Sequence, residues 1–155
     1  MYKTVMVTLD GSELAEMALV HGLAIAAKFE AKLILFAVVE SYQVYPQPGV
    51  VAPVAGVPIG ADDEVAQVRD YLRSLAEQHD HTGLEIIVTV NQGDPATEIC
   101  DHSRAVSADL IVMSTHGRSG IRRWVYGSVA DRVLRGAPTP VLLVRTSSEQ
   151  ATETA

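Results

Sequence analysis

Glycine at positions 117, 120 and 127, with Ser128 directly after the last, is the pattern in this chain that most clearly implies chemistry. The full run is Gly117-Arg118-Ser119-Gly120-Ile121-Arg122-Arg123-Trp124-Val125-Tyr126-Gly127-Ser128. Before it stands Asp109-Leu110-Ile111-Val112-Met113-Ser114, which reads as a buried strand. After it stands Val129-Ala130-Asp131-Arg132-Val133-Leu134-Arg135, which reads as a helix. Glycine allows positive φ and lets a ligand approach the backbone closely. A helix opening at Gly127-Ser128 aims free N–H groups and the positive end of its dipole at one point. That combination suits a phosphate group. Ser128 fits two roles at that point: a hydroxyl donor to phosphate, or a first-turn cap.

Charge is consistent with a small anion as ligand. The chain carries a formal −7, yet residues 117–136 hold Arg118, Arg122, Arg123, Arg132 and Arg135 against the single acid Asp131, a local +4 that leaves −11 for the remainder. A positive zone on an acidic protein steers small anions, whereas general nucleic-acid binding relies on a broad basic surface. The same arginines also read as solvated side chains on a helix and its approach. At His116 the backbone is expected to matter more than the ring, and Trp124 and Tyr126 are expected to pack the loop. His79 and His81, two apart at a helix end, point away from each other, so no metal site is expected there.

Absent motifs narrow the chemistry. There is no G-x4-G-K-[S/T], so no P-loop. Asp10-Gly11-Ser12 lacks the second aspartate, two positions on, that an aspartyl-phosphate enzyme of the haloacid dehalogenase type needs. No pyrophosphatase loop follows the first strand, and no base stands paired with a nucleophile. The expectation is a protein that binds and has no clear catalytic apparatus.

These residues need a scaffold, and the pattern supplies one. At 155 residues one domain is expected, spanning 1–146, with a polar, disordered tail at 147–155. The lone Cys100 suits a reducing compartment. No apolar run reaches membrane-spanning length and no signal-peptide layout is seen, so a cytoplasmic location is expected. Strands are expected at 2–9, 32–39, 84–90, 109–114 and 140–145. A first helix follows the capping Ser12, with Leu14, Ala18, Gly22, Ile25 and Phe29 as its apolar stripe. A second runs over 62–78 with Val65, Val68, Leu72 and Leu75 on one face. A third starts at Asp94-Pro95 and buries Ile99, Cys100, Ser103 and Val106. The fourth begins near Gly127 and stops at Gly136-Ala137-Pro138. Residues 41–61, rich in Pro and Gly, read as a long loop.

The resulting β-α-β-α-β-α-β-α-β order, with near-continuous apolar strands, predicts an α/β fold. It is a doubly wound, Rossmann-like, five-stranded parallel sheet in the order 3-2-1-4-5, with helices on both faces. Such sheets bind ligands beyond the carboxyl ends of their strands, where the strand order reverses. Strands one and four would flank that crevice, with Asp10 and residues 114–117 facing across it.

The segment Ser114 to Ser128, followed by Ala137-Pro138-Thr139-Pro140-Val141-Leu142-Leu143-Val144, resembles the universal stress protein family. The likeness extends to Asp10-Gly11-Ser12, Val38-Val39-Glu40 and Gly93-Asp94-Pro95. The family's nucleotide-binding branch carries G-x2-G-x9-G-[S/T]. Gly117, Gly127 and Ser128 match it, while Ser114 replaces the first glycine. Serine is small, and a negative φ at 114 would leave the loop intact. The resemblance implies that ATP, or another adenine nucleotide with or without Mg, is bound by Asp10, Val38, Met113, Ser114, His116, Gly117, Arg118, Ser119, Gly120, Gly127, Ser128 and Val129. Val38 and Met113 would pack on adenine, and Asp10 would contact the adenosine or help position a metal ion. Without the resemblance, Val38 and Met113 are simply core and Asp10 is a turn or capping aspartate. The resemblance further implies a nucleotide-dependent stress-response regulator and a homodimer paired through the strand-five edge, Val141, Leu142, Leu143 and Val144. Two alternatives remain: a dimeric interaction protein that binds no nucleotide, and a slow ATPase or phosphotransferase.

Overall fold

Thr4-Val5-Met6-Val7-Thr8 forms a strand because β-branched and apolar side chains fill both faces of a pleated backbone, and here both faces are covered. The protein is seen in a computed structural model that describes residues 1–40, 61–79, 83–115 and 127–145. Its elements alternate: β1 (Thr4–Thr8), α1 (Glu13–Phe29), β2 (Lys32–Glu40), α2 (Ala61–Gln78), β3 (Ile86–Gly93), α3 (Pro95–Ala105), β4 (Leu110–Ser114), α4 (Ser128–Gly136) and β5 (Val141–Val144). The strands are all parallel, in the order β3-β2-β1-β4-β5. Val5 pairs with Leu33 on one side and Leu110 on the other, so β1 lies at the centre. The predicted fold class and strand order both hold.

Strand alternation splits the core into two layers. Val5, Val7, Leu33, Leu35 and Val112 face α1 and α2, meeting Ala18, Leu19, Leu72 and Leu75. Met6, Ile34, Phe36, Ile111 and Met113 face α3 and α4, meeting Ala96, Ile99, Ala130 and Val133. Burial on both faces is why these strands read as unbroken apolar runs.

Three expectations need correction. The buried face of α1 is Ala15, Ala18, Leu19, Gly22 and Ala26, rotated from the expected stripe. Leu14 and Ile25 are only half-buried, and Phe29 is 41% exposed, its ring edge-on to Tyr2 at 5.0 Å. Small residues win this face because α1 lies very close to β1: a methyl group added at Gly22 would overlap the Val7 side chain. Next, β3 spans Ile86–Gly93, starting two residues and ending three residues later than expected. Asn91 and Gln92 continue the ladder beside Val38 and Val39, which a partly exposed edge strand tolerates. Third, Cys100 of α3 and Val106, the residue capping its C-terminus, are half-buried, while Ala96, Ile99 and Ser103 are buried. The expected loop at 41–61 and tail at 147–155 fall outside the described residues, apart from Ala61, which opens α2.

Candidate functional site

The helices differ in how their first turns are finished. At α1, Ser12 accepts from Ala15 N through Oγ at 3.2 Å. Asp10 holds that serine in place: its Oδ1 accepts from Ser12 N at 3.0 Å and from Ser12 Oγ at 2.6 Å. Gly11 between them has φ of 80°, a left-handed conformation that favours glycine. At α3, Asp94 Oδ2 accepts from Thr97 N at 3.0 Å and from Thr97 Oγ1 at 2.7 Å. Arg132 of α4 then grips the same carboxylate with two nitrogens, at 2.8 and 2.7 Å. These contacts hold the Asp94 carboxyl well below the usual range, the Arg132 bond contributing most.

α4 is different. Its cap position is Gly127, which has no side chain to offer. Gly127 N donates to Thr115 O at 2.9 Å, and Gly127 O accepts from Asp131 N at 3.0 Å. The next amides, at Ser128, Val129 and Ala130, belong to the first turn, which has no acceptors within the helix. Gly127 sits at φ −53° and ψ 148°, so its conformation does not demand glycine. Positive φ, one of the two attributes expected of glycine in this segment, is therefore not used at 127. Gly127 lines the adjoining cleft with backbone alone.

That helix end opens into a cleft of about 840 Å³ at the carboxyl edge of the sheet, within the roughly 300–1,000 Å³ usual for small-molecule sites. Asp10, Val38, Met113, Ser114, Gly127, Ser128 and Val129 all line it, so seven of the twelve expected site residues come together around one space. The other five, His116, Gly117, Arg118, Ser119 and Gly120, lie outside the described residues, as do His81, Arg122, Trp124 and Tyr126. Ser114 is the last residue of β4 and pairs with Val144. It is not among the positive-φ residues, so serine suits the place where the motif has its first glycine.

The cleft reaches further than the motif. From α2 come Glu64, Gln67, Val68 and Tyr71, and from α3 come Pro95 and Ile99. The α2 residues had a signal in the sequence: 64, 67 and 71 fall at i, i+3 and i+7, beside the apolar stripe of Val68, Leu72 and Leu75. Tyr71 donates its hydroxyl to Glu16 Oε1 at 2.8 Å. Burial and that carboxylate raise the Tyr71 pKa well above its ordinary value. The floor includes Phe36, whose far side stacks on His102 at 4.4 Å and 6°. His102 Nε2 is buried with no hydrogen-bond partner among the described residues, and burial pushes its pKa down.

Two of the five arginines of the basic segment are committed to ion pairs: Arg132 to Asp94, and Arg135 to Asp131 at 3.0 Å. Among the described residues no group of three or more His, Cys, Asp or Glu could hold a metal ion, and no helix is long and apolar enough to cross a membrane.

Comparison with known proteins agrees with this architecture. The family model described as universal stress protein family matches residues 1–145. A universal stress protein of Methanocaldococcus jannaschii is 31% identical over 151 residues, covering 94% of this chain and 83% of its own length. The solved structure of the universal stress protein UspA from Lactobacillus plantarum superposes with a TM-score of 0.80 at 26% identity, covering 93% of this chain and 98% of that one. A universal stress protein solved in complex with cAMP gives a TM-score of 0.68 at 28% identity, covering 94% of this chain and 98% of its own.

Proposed function

This chain belongs to the universal stress protein family, and from that premise we propose that it is an adenine-nucleotide-binding regulatory protein that takes ATP. The observation that carries the reading is the α4 N-terminus: amides of a first turn with no side-chain cap, facing a cleft that Ser128 and Asp10 also line. A helix end of that kind attracts an anion through its dipole and donors together. The relative solved with cAMP supports an adenylate as the anion's carrier.

In this reading the phosphates rest on Ser128, on the amides of Ser128 and Val129, and on the segment from His116 to Gly120. Adenine packs against Val38 and Met113, both at the apolar floor of the cleft. Asp10, whose Oδ1 accepts from Ser12, lines the cleft and would meet ribose, base or a nucleotide-bound Mg there. The protein acts as a cytoplasmic switch through nucleotide occupancy, with no catalytic step assigned to it. β5 closes one edge of the sheet with Val141, Leu142 and Leu143 half-exposed, which supports strand-to-strand pairing of two copies into a homodimer.

Calorimetric titration of the purified protein with ATP tests the reading, together with identification of any nucleotide released on denaturation. Micromolar binding or a co-purified adenylate is the expected result. Protein that neither carries nor takes up adenylates refutes it. Sedimentation showing only monomer at micromolar concentration refutes the dimer.

A further inference from the structure

α1 is apolar on two faces, and the fold uses one of them. Ala15, Ala18, Leu19, Gly22 and Ala26 go down onto the sheet. On the outer side Glu13, Met17, Val20, Ala24 and Ala27 recur at steps of four, three, four and three, all of them exposed. That spacing is the 3.5-residue seam by which one helix packs against another. The only ionisable side chains of α1 are Glu13, Glu16, His21 and Lys28, and a helix apolar all round is ordinarily covered. Of the large apolar side chains left exposed among the described residues, Met17, Val20 and Phe29 all belong to α1, and Val20 near its middle is 65% exposed. A groove of about 320 Å³ between α1 and α2 borders the seam, lined by Met17, Leu19, Val20 and Leu75. The surface there is concave, as a docked helix requires.

The seam is complementary to its own reverse. Laid antiparallel about Gly22, two copies of α1 set Met17 of one against Ala27 of the other, and Val20 against Ala24. Each layer then joins a large side chain to a small one, the condition for interdigitated packing. The same arrangement brings Lys28, at the C-terminal end of each helix, alongside the first turn of the other, which holds Glu13 and Glu16. A parallel pair would instead set Met17 on Met17 and Glu13 on Glu13. Size and charge thus select the same occupant and the same direction.

We propose that the outer face of α1 is a self-association surface, which pairs antiparallel with α1 of a second copy about a two-fold axis level with Gly22. The contact lies on a face of the sheet and is separate from the β5 edge. α1 has 17 residues, about 25 Å of helix. A contact of that length falls short of a standard interface, so association is expected in the micromolar range or weaker.

Sedimentation equilibrium of the full chain, loaded up to about 100 μM so that contacts of this strength populate, tests the proposal. Val20→Asp leaves the core untouched and puts an unpaired carboxylate in each half of the seam. It is expected to weaken one association step by more than about 100-fold, with a thermal midpoint near that of the wild type. Where the β5 edge also pairs copies, the variant falls to the mass of that pair; where it does not, to that of a monomer. Glu13→Lys and Lys28→Glu should each weaken the same step by about tenfold, because the two-fold repeats the charge pair, and combining them should restore it. Equal masses for wild type and Val20→Asp at every concentration overturn the proposal and leave the seam to a different partner. A combined charge variant that stays as weak as the single ones overturns the antiparallel pairing of two copies.

Discussion

Among the helix N-termini whose cap positions are described, those of α1 and α3 are closed and that of α4 is open. Ser12 and Asp94 each lend α1 and α3 a side-chain acceptor, so those ends contribute to stability and have little left to offer a ligand. Gly127 gives α4 none. A side-chain cap is worth roughly 1 kcal/mol to a helix, and α4 forgoes it where its first turn meets a cleft of about 840 Å³. Local stability and binding capacity are alternatives at a helix end, and the chain chooses differently at different ends.

The sharpest way to break the comparison is to close the open end. Gly127 has a backbone conformation that any residue adopts, so Gly127→Asp should supply α4 with a carboxylate cap. Nucleotide affinity should fall by more than about 150-fold in calorimetry, through loss of the amides and repulsion of phosphate, while the thermal midpoint holds or rises. A variant that still binds ATP normally would show that the α4 end is not the anion site.

Removing Ser128 is milder. Ser128→Ala should weaken ATP binding by roughly 10- to 150-fold, the range for a hydrogen bond to a charged group, with the urea midpoint unchanged. The closed ends should respond the other way. Ser12→Ala and Asp94→Ala should each cost about 1 kcal/mol in urea unfolding. The Asp94–Arg132 pair, about half-exposed on both sides, adds little to that. If either replacement left stability intact and abolished binding, the division between capped and open ends would be wrong.

The smallest effect concerns pH. His102 is half-buried, and burial holds its pKa below the ordinary 6.5. A depressed histidine contributes stability that is present above pH 6.5 and lost as pH falls through the lower folded value. Glu98, on the same helix, opposes the shift and narrows the window. Urea midpoints measured between pH 7 and 5 should decline, and His102→Phe, which keeps the stack on Phe36, should flatten the decline.

Much of this was legible in the residues, because strands buried on both faces announce themselves as apolar runs and Asp94-Pro95 announces a helix start. That Asp10 and Ser114 would face one crevice followed from the strand order, and Ser128 from the helix start at Gly127-Ser128. The face of α1 was not legible. Leu14 and Phe29 are large and periodic, but the buried face is Ala15, Ala18, Leu19, Gly22 and Ala26, with the approach to Val7 so close at Gly22 that no side chain fits there. Periodicity reports a face; which of two adjacent stripes goes down depends on how near the partner lies. The α2 wall was hidden for a related reason: Glu64 and Gln67 look like any solvated pair until the sheet edge is set beside them. The polar end of β3 was missed because Asn91 and Gln92 pair by backbone, to which side-chain polarity is irrelevant at an edge.

The bond from Gly127 N to Thr115 O, 2.9 Å long, means that the chain departs from β4 and returns to α4 through a single doorway. With Thr115 and Gly127 held together, the length of chain joining them is a small term for the fold, since lengthening a closed loop costs only about 0.6 kcal/mol per doubling.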